Sequence, residues 1–303
     1  MIKINFNQKL FDEHIKHISI KLKENLCKAS KRYYRTKKTL KCLQYLSENG
    51  IIEALLKANP TQLKDLILYF ETHFPSSTQK GKELNKILRN EIFEKEYNNW
   101  SDRKKYGAYK FVTELDLKTC PYCNRNYTFI VNSEDGKLRP ELDHFFPKSL
   151  YPFLAMSFYN LIPSCTICNH TKSNIQKDNL INPYDIKHDD IFFTYIPNNI
   201  DFVAVQNEKY DFNNFEIQIE GNKENIELFK LEELYIQHKD IVLEILIKKA
   251  YYPESYIEEL KNFGFNEDEI YRYLFSNYTK EEDLHKRPLS KLIKDISEEL
   301  KLT

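Results

Sequence analysis

The chain has 303 residues, 41% of them hydrophobic and 30% charged, with 45 Lys/Arg against 45 Asp/Glu. That length allows two or three packed regions, and that composition excludes an intrinsically disordered chain. No apolar run approaches the roughly 20 residues of a membrane span. The start, Met1-Ile2-Lys3-Ile4-Asn5, has neither an apolar h-region nor a small-residue cleavage site, so a cytoplasmic protein with no membrane partner is expected.

The neutral total hides an asymmetry. Residues 1–45 carry 12 Lys/Arg against 3 Asp/Glu, and residues 221–303 carry 13 against 18. A basic segment inside a neutral chain can be a nucleic-acid surface or a solvated helix face. Its candidate contacts are Lys28, Lys31, Arg32, Arg35, Lys37 and Lys38.

Residues 1–115 read as a helical region. Ile15, Ile18, Leu22 and Leu26 recur at helical spacing, as do Leu40, Leu43 and Leu46. Gly50 and Asn59-Pro60 punctuate the pattern, an amphipathic helix runs from Thr61 to Phe74 before Pro75, and another spans about Glu83 to Tyr97. Residues 116–185 change character. Tyr127–Val131 has strand propensity, Asn132–Gly136 is turn chemistry, and Leu138–His144 returns as the second strand of a hairpin. A loop carrying Pro147, Pro152 and Pro163 follows, then a short helix from about Asn169 to Asp178. In residues 186–303, Phe202–Val205 and Phe215–Ile219 read as short strands and helical periodicity resumes from Glu224. The fold class expected is mostly α with a small α+β core.

Cys120-Pro-Tyr-Cys123 and Cys165-Thr-Ile-Cys168 are two Cys-x-x-Cys pairs separated by 41 residues. Such a turn lets two thiolates converge on one ion while backbone amides stabilise the sulfurs, and two turns complete a tetrahedral four-thiolate zinc site. Two disulfides are the less favoured use in a reducing cytosol. Cys27 and Cys42 have no partner at ligand spacing and are expected to be buried thiols on helices. A four-thiolate zinc has no open position and is structural, so any chemistry must come from the residues between the pairs.

Those residues include Glu141-Leu142-Asp143-His144-Phe145-Phe146-Pro147-Lys148-Ser149, then Asn160-Leu161, then Cys168-Asn169-His170-Thr171-Lys172. An adjacent Asp-His pair leaving a strand sends its side chains in different directions. One can bind a metal while the other faces an attacking water, as phosphodiester hydrolysis requires. Singly, each residue has a plainer reading: Asp-His as a surface pair or cap, Asn160 as a turn residue, Lys172 as a solvated charge. Tyr122, Arg125 and Lys148 either face nucleic acid or pack the hairpin, while His14, His17, His73 and His238 are expected to be structural.

Together, over about 55 residues from Cys120 to Asn174, these motifs resemble the HNH (ββα-metal) endonucleases. More loosely, with Asn182-Pro183-Tyr184-Asp185 and Leu234-Tyr235-Ile236-Gln237-His238-Lys239, the chain is similar to PtuB-like HNH proteins of bacterial antiphage (Septu-type) systems, which work with an ATPase partner. The resemblance implies helical N- and C-terminal regions flanking a ββα-metal module. It makes His144 the general base, and Asp143 and Asn169 the ligands of a catalytic Mg2+ or Mn2+. His170 is the alternative to Asn169 if the helix register differs. Asn160 would hold the loop and orient the base, and Lys172 would meet the scissile phosphate. DNA is the expected substrate. The competing reading is a non-catalytic, zinc-stapled module that binds nucleic acid or protein.

Overall fold

The apolar periodicity of the N-terminal region becomes α1 (Gln8–Arg32) in the computed structural model, which describes residues 1–33, 37–103, 105–132, 137–198, 214–252 and 254–302. Asn7 caps α1 by accepting from the Leu10 amide, and Ile15, Ile18, Leu22 and Leu26 are buried along one face. Each such side chain contributes about 1.5–3 kcal/mol by leaving water. Then come α2 (Lys37–Ser47), α3 (Ile51–Lys57) and α4 (Pro60–His73). Asn59 and Gln62 close a capping box at the start of α4, with Pro60 in its first turn.

The helix expected over 83–97 is longer and interrupted. It runs as α5 (Gln79–Ile87), a π-helical turn (Leu88–Ile92) and α6 (Phe93–Ser101), and α7 (Ala108–Leu115) follows.

The expected hairpin is redrawn. Among the described residues β1 (Val131–Asn132) pairs with β2 (Lys137–Leu138), whereas β3 (Glu141–His144) pairs antiparallel with β4 (Leu161–Ser164). The sequence reading placed 161–164 in a proline-punctuated loop. Pro163 stands opposite Leu142, and each strand of a two-stranded sheet has a free edge that tolerates a residue without an N–H. Fully buried Leu161 and Ile162 fix the register. The next helix, α8 (Thr166–Lys172), starts earlier than expected, with Cys165 as its N-cap, and stops at Ser173 in a left-handed conformation (φ 45°).

The C-terminal region forms β5 (Ile191–Pro197), β6 (Phe215–Gly221), α9 (Lys223–Leu228), α10 (Leu231–Tyr235), α11 (Lys239–Tyr251), α12 (Glu254–Asn262), α13 (Glu267–Phe275) and α14 (Ser290–Glu299). The expected strand Phe202–Val205 lies outside the described residues; the strand over 215–219 is present and pairs with β5. The fold is therefore mostly α, with two-stranded antiparallel sheets as its β content among the described residues. Among those residues no helix is long and apolar enough to cross a membrane.

The chain divides into two compact units, both discontinuous in sequence: Met1–Ile4, Lys118–Tyr127 and Lys177–Thr303 in one, Asn5–Leu117 and Thr128–Gln176 in the other. In the first, the Cys120–Cys123 turn rests on C-terminal side chains. Tyr122 is fully buried and stacks on Phe229 at 4.3 Å, and the Tyr235 hydroxyl donates to the Cys123 carbonyl at 2.6 Å. Asn124, buried and left-handed (φ 49°), donates to Thr119 and to the Leu284 and Arg287 carbonyls, and accepts from Ser290 and the Lys291 amide at the start of α14. Five hydrogen bonds offset a backbone conformation that ordinary residues avoid. In the second unit, α1 contributes His14 to an aromatic cluster with Trp100, Tyr106, Phe111 and Phe158.

Candidate active site

Asp143 and His144 leave β3 on opposite faces, as alternation along a strand demands. Glu141 shares the Asp143 face, and α8 covers that face through Asn169 and Lys172. The Asn169 amide donates to Glu141 Oε2, and Lys172 Nζ lies 3.1 Å from Asp143 Oδ1 and 2.7 Å from the His144 carbonyl oxygen. Residues 169 and 172 are one helical turn apart and 141 and 143 one strand repeat apart, so helix and strand meet rung against rung.

His144 is buried, and its Nε2 lies 3.0 Å from the Ala155 carbonyl oxygen. A carbonyl only accepts, so Nε2 carries the hydrogen and Nδ1 keeps its lone pair. Burial lowers the imidazole pKa to about 3; the ammonium groups of Lys148 and Lys172 push the same way, and the Ala155 carbonyl opposes them. His144 is thus neutral at physiological pH, the form that can accept a proton, with a pKa well below the near-neutral value best suited to a general base.

Asn160 anchors the loop that presents this carbonyl. Fully buried, it accepts from the Phe146 amide at 2.7 Å and donates to the Phe146 and Leu154 carbonyls at 3.1 and 2.9 Å. Leu154 precedes Ala155, so the amide that fixes the loop also fixes the group that orients His144.

Three expected roles meet a different geometry. Lys172 is fully buried and pairs with Asp143, an arrangement with no surface for a phosphate contact; burial lowers its pKa and Asp143 opposes that. Asn169 is the fourth residue of α8, not its first, and turns toward the strand through Glu141, while the His170 side chain is 75% exposed with Nε2 4.0 Å from Glu141 Oε1. Cys27 is exposed, whereas Cys42 is buried as expected. Of the undecided residues, Tyr122 packs on Phe229 and Arg125 donates to His238 Nε2 at 2.9 Å. In the basic segment Lys28 and Lys31 are exposed and Arg32 pairs with Glu91, while Arg35 and the side chains of Lys37 and Lys38 lie outside the described residues.

Sequence reasoning missed two neighbours of the Asp-His pair. Glu141 could have been found from the Glu-x-Asp spacing, which puts two carboxylates on one strand face. Tyr97, from α6, meets the His144 ring edge-to-face at 4.6 Å, and no sequence signal links positions so far apart.

The four paired cysteines converge. The sulfurs of Cys120, Cys123, Cys165 and Cys168 all lie within 4.8 Å of one another, and Cys120, Cys123 and Cys168 are buried. Tetrahedral zinc with bonds of about 2.3 Å needs sulfurs about 3.8 Å apart, so the donor set and its spacing fit. The Arg125 amide donates to Cys123 Sγ at 3.4 Å and the Cys168 amide to Cys165 Sγ at 3.5 Å, dipoles that favour thiolates. The cluster can hold a metal ion such as zinc.

No family model and no solved structure matches the chain. Over 74 residues it is 36% identical to the Septu protein PtuB of Bacillus thuringiensis, a stretch that is 24% of this chain and 26% of the relative, so the match spans about a quarter of that protein's length. The thiol cluster and this partial likeness mark the chain as a distant, partial homologue of a Septu protein.

Proposed function

We propose that the chain is a metal-dependent HNH-type nuclease that hydrolyses phosphodiester bonds in DNA. The observation that carries this reading is the state of His144, whose Nε2–H is committed to the Ala155 carbonyl and whose neutral Nδ1 keeps its lone pair. Nδ1 would take a proton from the attacking water, with Asn160 and Ala155 holding the ring in the tautomer that permits it. Asp143 and Asn169 would hold a catalytic Mg2+ or Mn2+, with Glu141 as a third oxygen donor beside Asn169. When bound, such an ion stabilises the charge that develops on the phosphate oxygens. His170, exposed and 4.0 Å from Glu141 Oε1, is the alternative to Asn169 as a ligand. The four thiolates would hold a structural zinc.

One observation favours the non-catalytic reading: the Lys172 ammonium supplies Asp143 with the positive charge that a divalent ion would otherwise bring. A plasmid-cleavage assay with Mg2+, Mn2+ and EDTA on wild type and His144→Ala separates the two. Metal-dependent cutting that vanishes in the variant supports the nuclease, and equal behaviour of both proteins sinks it.

The likeness to a Septu protein supports a place in antiphage defence in the cytoplasm, with an ATPase as protein partner. Phage plating with and without the chain and its partner tests that role, and an unchanged plaque count for His144→Ala would separate defence from cleavage.

A further inference from the structure

With Lys172 enclosed against Asp143, the site lacks the cation expected to face the phosphate. A different lysine stands in the right place. Lys148, four residues after His144 in the loop pinned by Asn160, is half-buried, with Nζ 4.7 Å from the centre of the Tyr97 ring. The same ring meets His144 at 4.6 Å, so the imidazole centre and the ammonium, both in contact with Tyr97, lie no more than about 9 Å apart. Attacking water and phosphorus approach at about 3–3.5 Å in a productive geometry, a chain of contacts that fits such a span.

Lys148 differs from the other cations around it. Lys172 is paired with Asp143 and Arg89 with Glu94 at 2.8 Å, whereas among the described residues Lys148 makes no ion pair and sits over the Tyr97 ring. Burial also lowers its pKa, with Glu94 opposing. A half-buried ammonium costs desolvation energy that a ring face returns only in part. An anion at that point would return the rest.

We propose that Lys148 contacts the phosphodiester attacked by the His144-activated water, and that Tyr97, contributed by the N-terminal helical region, positions both side chains. The inference rests on the nuclease reading above. Lys148 donates hydrogen bonds to a non-bridging phosphate oxygen. Tyr97 touches no reacting atom: it fixes the imidazole edge-on and keeps the ammonium off solvent.

The test uses the full chain, a supercoiled plasmid for cleavage and a labelled duplex in EDTA for binding. Lys148→Gln should lower kcat/KM by about 10- to 100-fold, the loss of one charged hydrogen bond. It should also flatten log Kd against log salt by about 0.9, the share of one phosphate contact, with melting near wild type. Lys148→Arg should recover most of that loss. Tyr97→Leu should lower kcat with the salt slope unchanged, and Tyr97→Phe, which keeps the ring, should restore it. Wild-type kcat/KM and salt slope in Lys148→Gln overturn the proposal, and a Tyr97→Leu protein as active as wild type overturns the positioning role. If wild type and His144→Ala are equally inactive with every metal, the nuclease reading itself fails. The duplex-binding slopes then decide alone: an unchanged slope in Lys148→Gln removes the phosphate contact, and a flatter one retains it.

Discussion

Lys172 and Asp143 form an ion pair with both side chains out of solvent, the ammonium 3.1 Å from Oδ1 and also bonded to the His144 carbonyl. Removing one partner of such a pair leaves a buried charge uncompensated, at a cost of about 3–5 kcal/mol. Lys172→Met should therefore destabilise the protein by about that amount in urea unfolding. Adding Asp143→Leu should return part of it, so that the double variant is more stable than the sum of the singles. Additive losses would show that the two groups do not depend on each other.

His144→Ala removes the base and leaves Ala155 with an unpaired carbonyl. General-base catalysis contributes roughly 10²–10⁴-fold, so kcat on a plasmid should fall by that factor in the presence of Mg2+ or Mn2+, while zinc content stays at the wild-type level. Activity within a few-fold of wild type would end the base assignment.

Asn160 offers a sharper separation of support from chemistry. Its amide makes three buried hydrogen bonds to the loop that carries Ala155, and buried groups left without partners cost about 1–3 kcal/mol each. Asn160→Ala should lower stability by about 2–4 kcal/mol and lower kcat as well, because the carbonyl that sets the His144 tautomer is no longer held. A variant that melts early yet cleaves at the wild-type rate below its melting temperature would confine Asn160 to folding.

The thiol cluster makes the largest claim on stability. Structural zinc contributes on the order of 10 kcal/mol in apparent terms, comparable to the whole stability of an ordinary domain. Cys165→Ser should bind less than one zinc per chain by atomic absorption and lose its cooperative thermal transition. Unchanged metal content and melting would leave the four sulfurs without a structural role.

What the sequence made legible was local chemistry. The Cys-x-x-Cys spacing carried the thiol cluster, because a turn of that length lets two sulfurs converge on one point, and the apolar stripe of α1 is read directly from Ile15, Ile18, Leu22 and Leu26. The mostly helical class followed from such stripes. Strand pairing was not legible: Pro163 reads as a loop residue, and its place opposite Leu142, next to buried Ile162, shows that it lies in a strand. The position of Lys172 was hidden for a related reason, since a helix starting at Thr166 rather than Asn169 turns its last residue inward onto Asp143. Tyr97 and the Ala155 carbonyl escaped altogether, one because a distant helix supplies it and the other because a backbone oxygen has no signature in side-chain identity.

His14 gives a prediction about pH that is independent of catalysis. It is fully buried in α1, with Nε2 2.8 Å from the Met156 carbonyl and Nδ1 3.0 Å from the Tyr106 hydroxyl, and burial lowers its pKa to about 4 from 6.5 while the Met156 carbonyl opposes. The folded chain keeps the ring neutral where the unfolded chain has already taken up a proton, so acid favours unfolding. The contribution is complete above pH 6.5 and is lost as pH falls toward 4, on the order of 3 kcal/mol across that window. His144, also held neutral by burial, adds to the acid sensitivity of both wild type and variant. His14→Gln keeps a donor for Met156 and an acceptor for Tyr106 but does not titrate. Its stability should therefore fall less steeply than that of wild type between pH 6.5 and 4 in urea unfolding followed by circular dichroism. Parallel pH profiles for the two proteins would mean that His14 is solvated and charged in the folded chain, and the aromatic cluster around it would have to be packed differently.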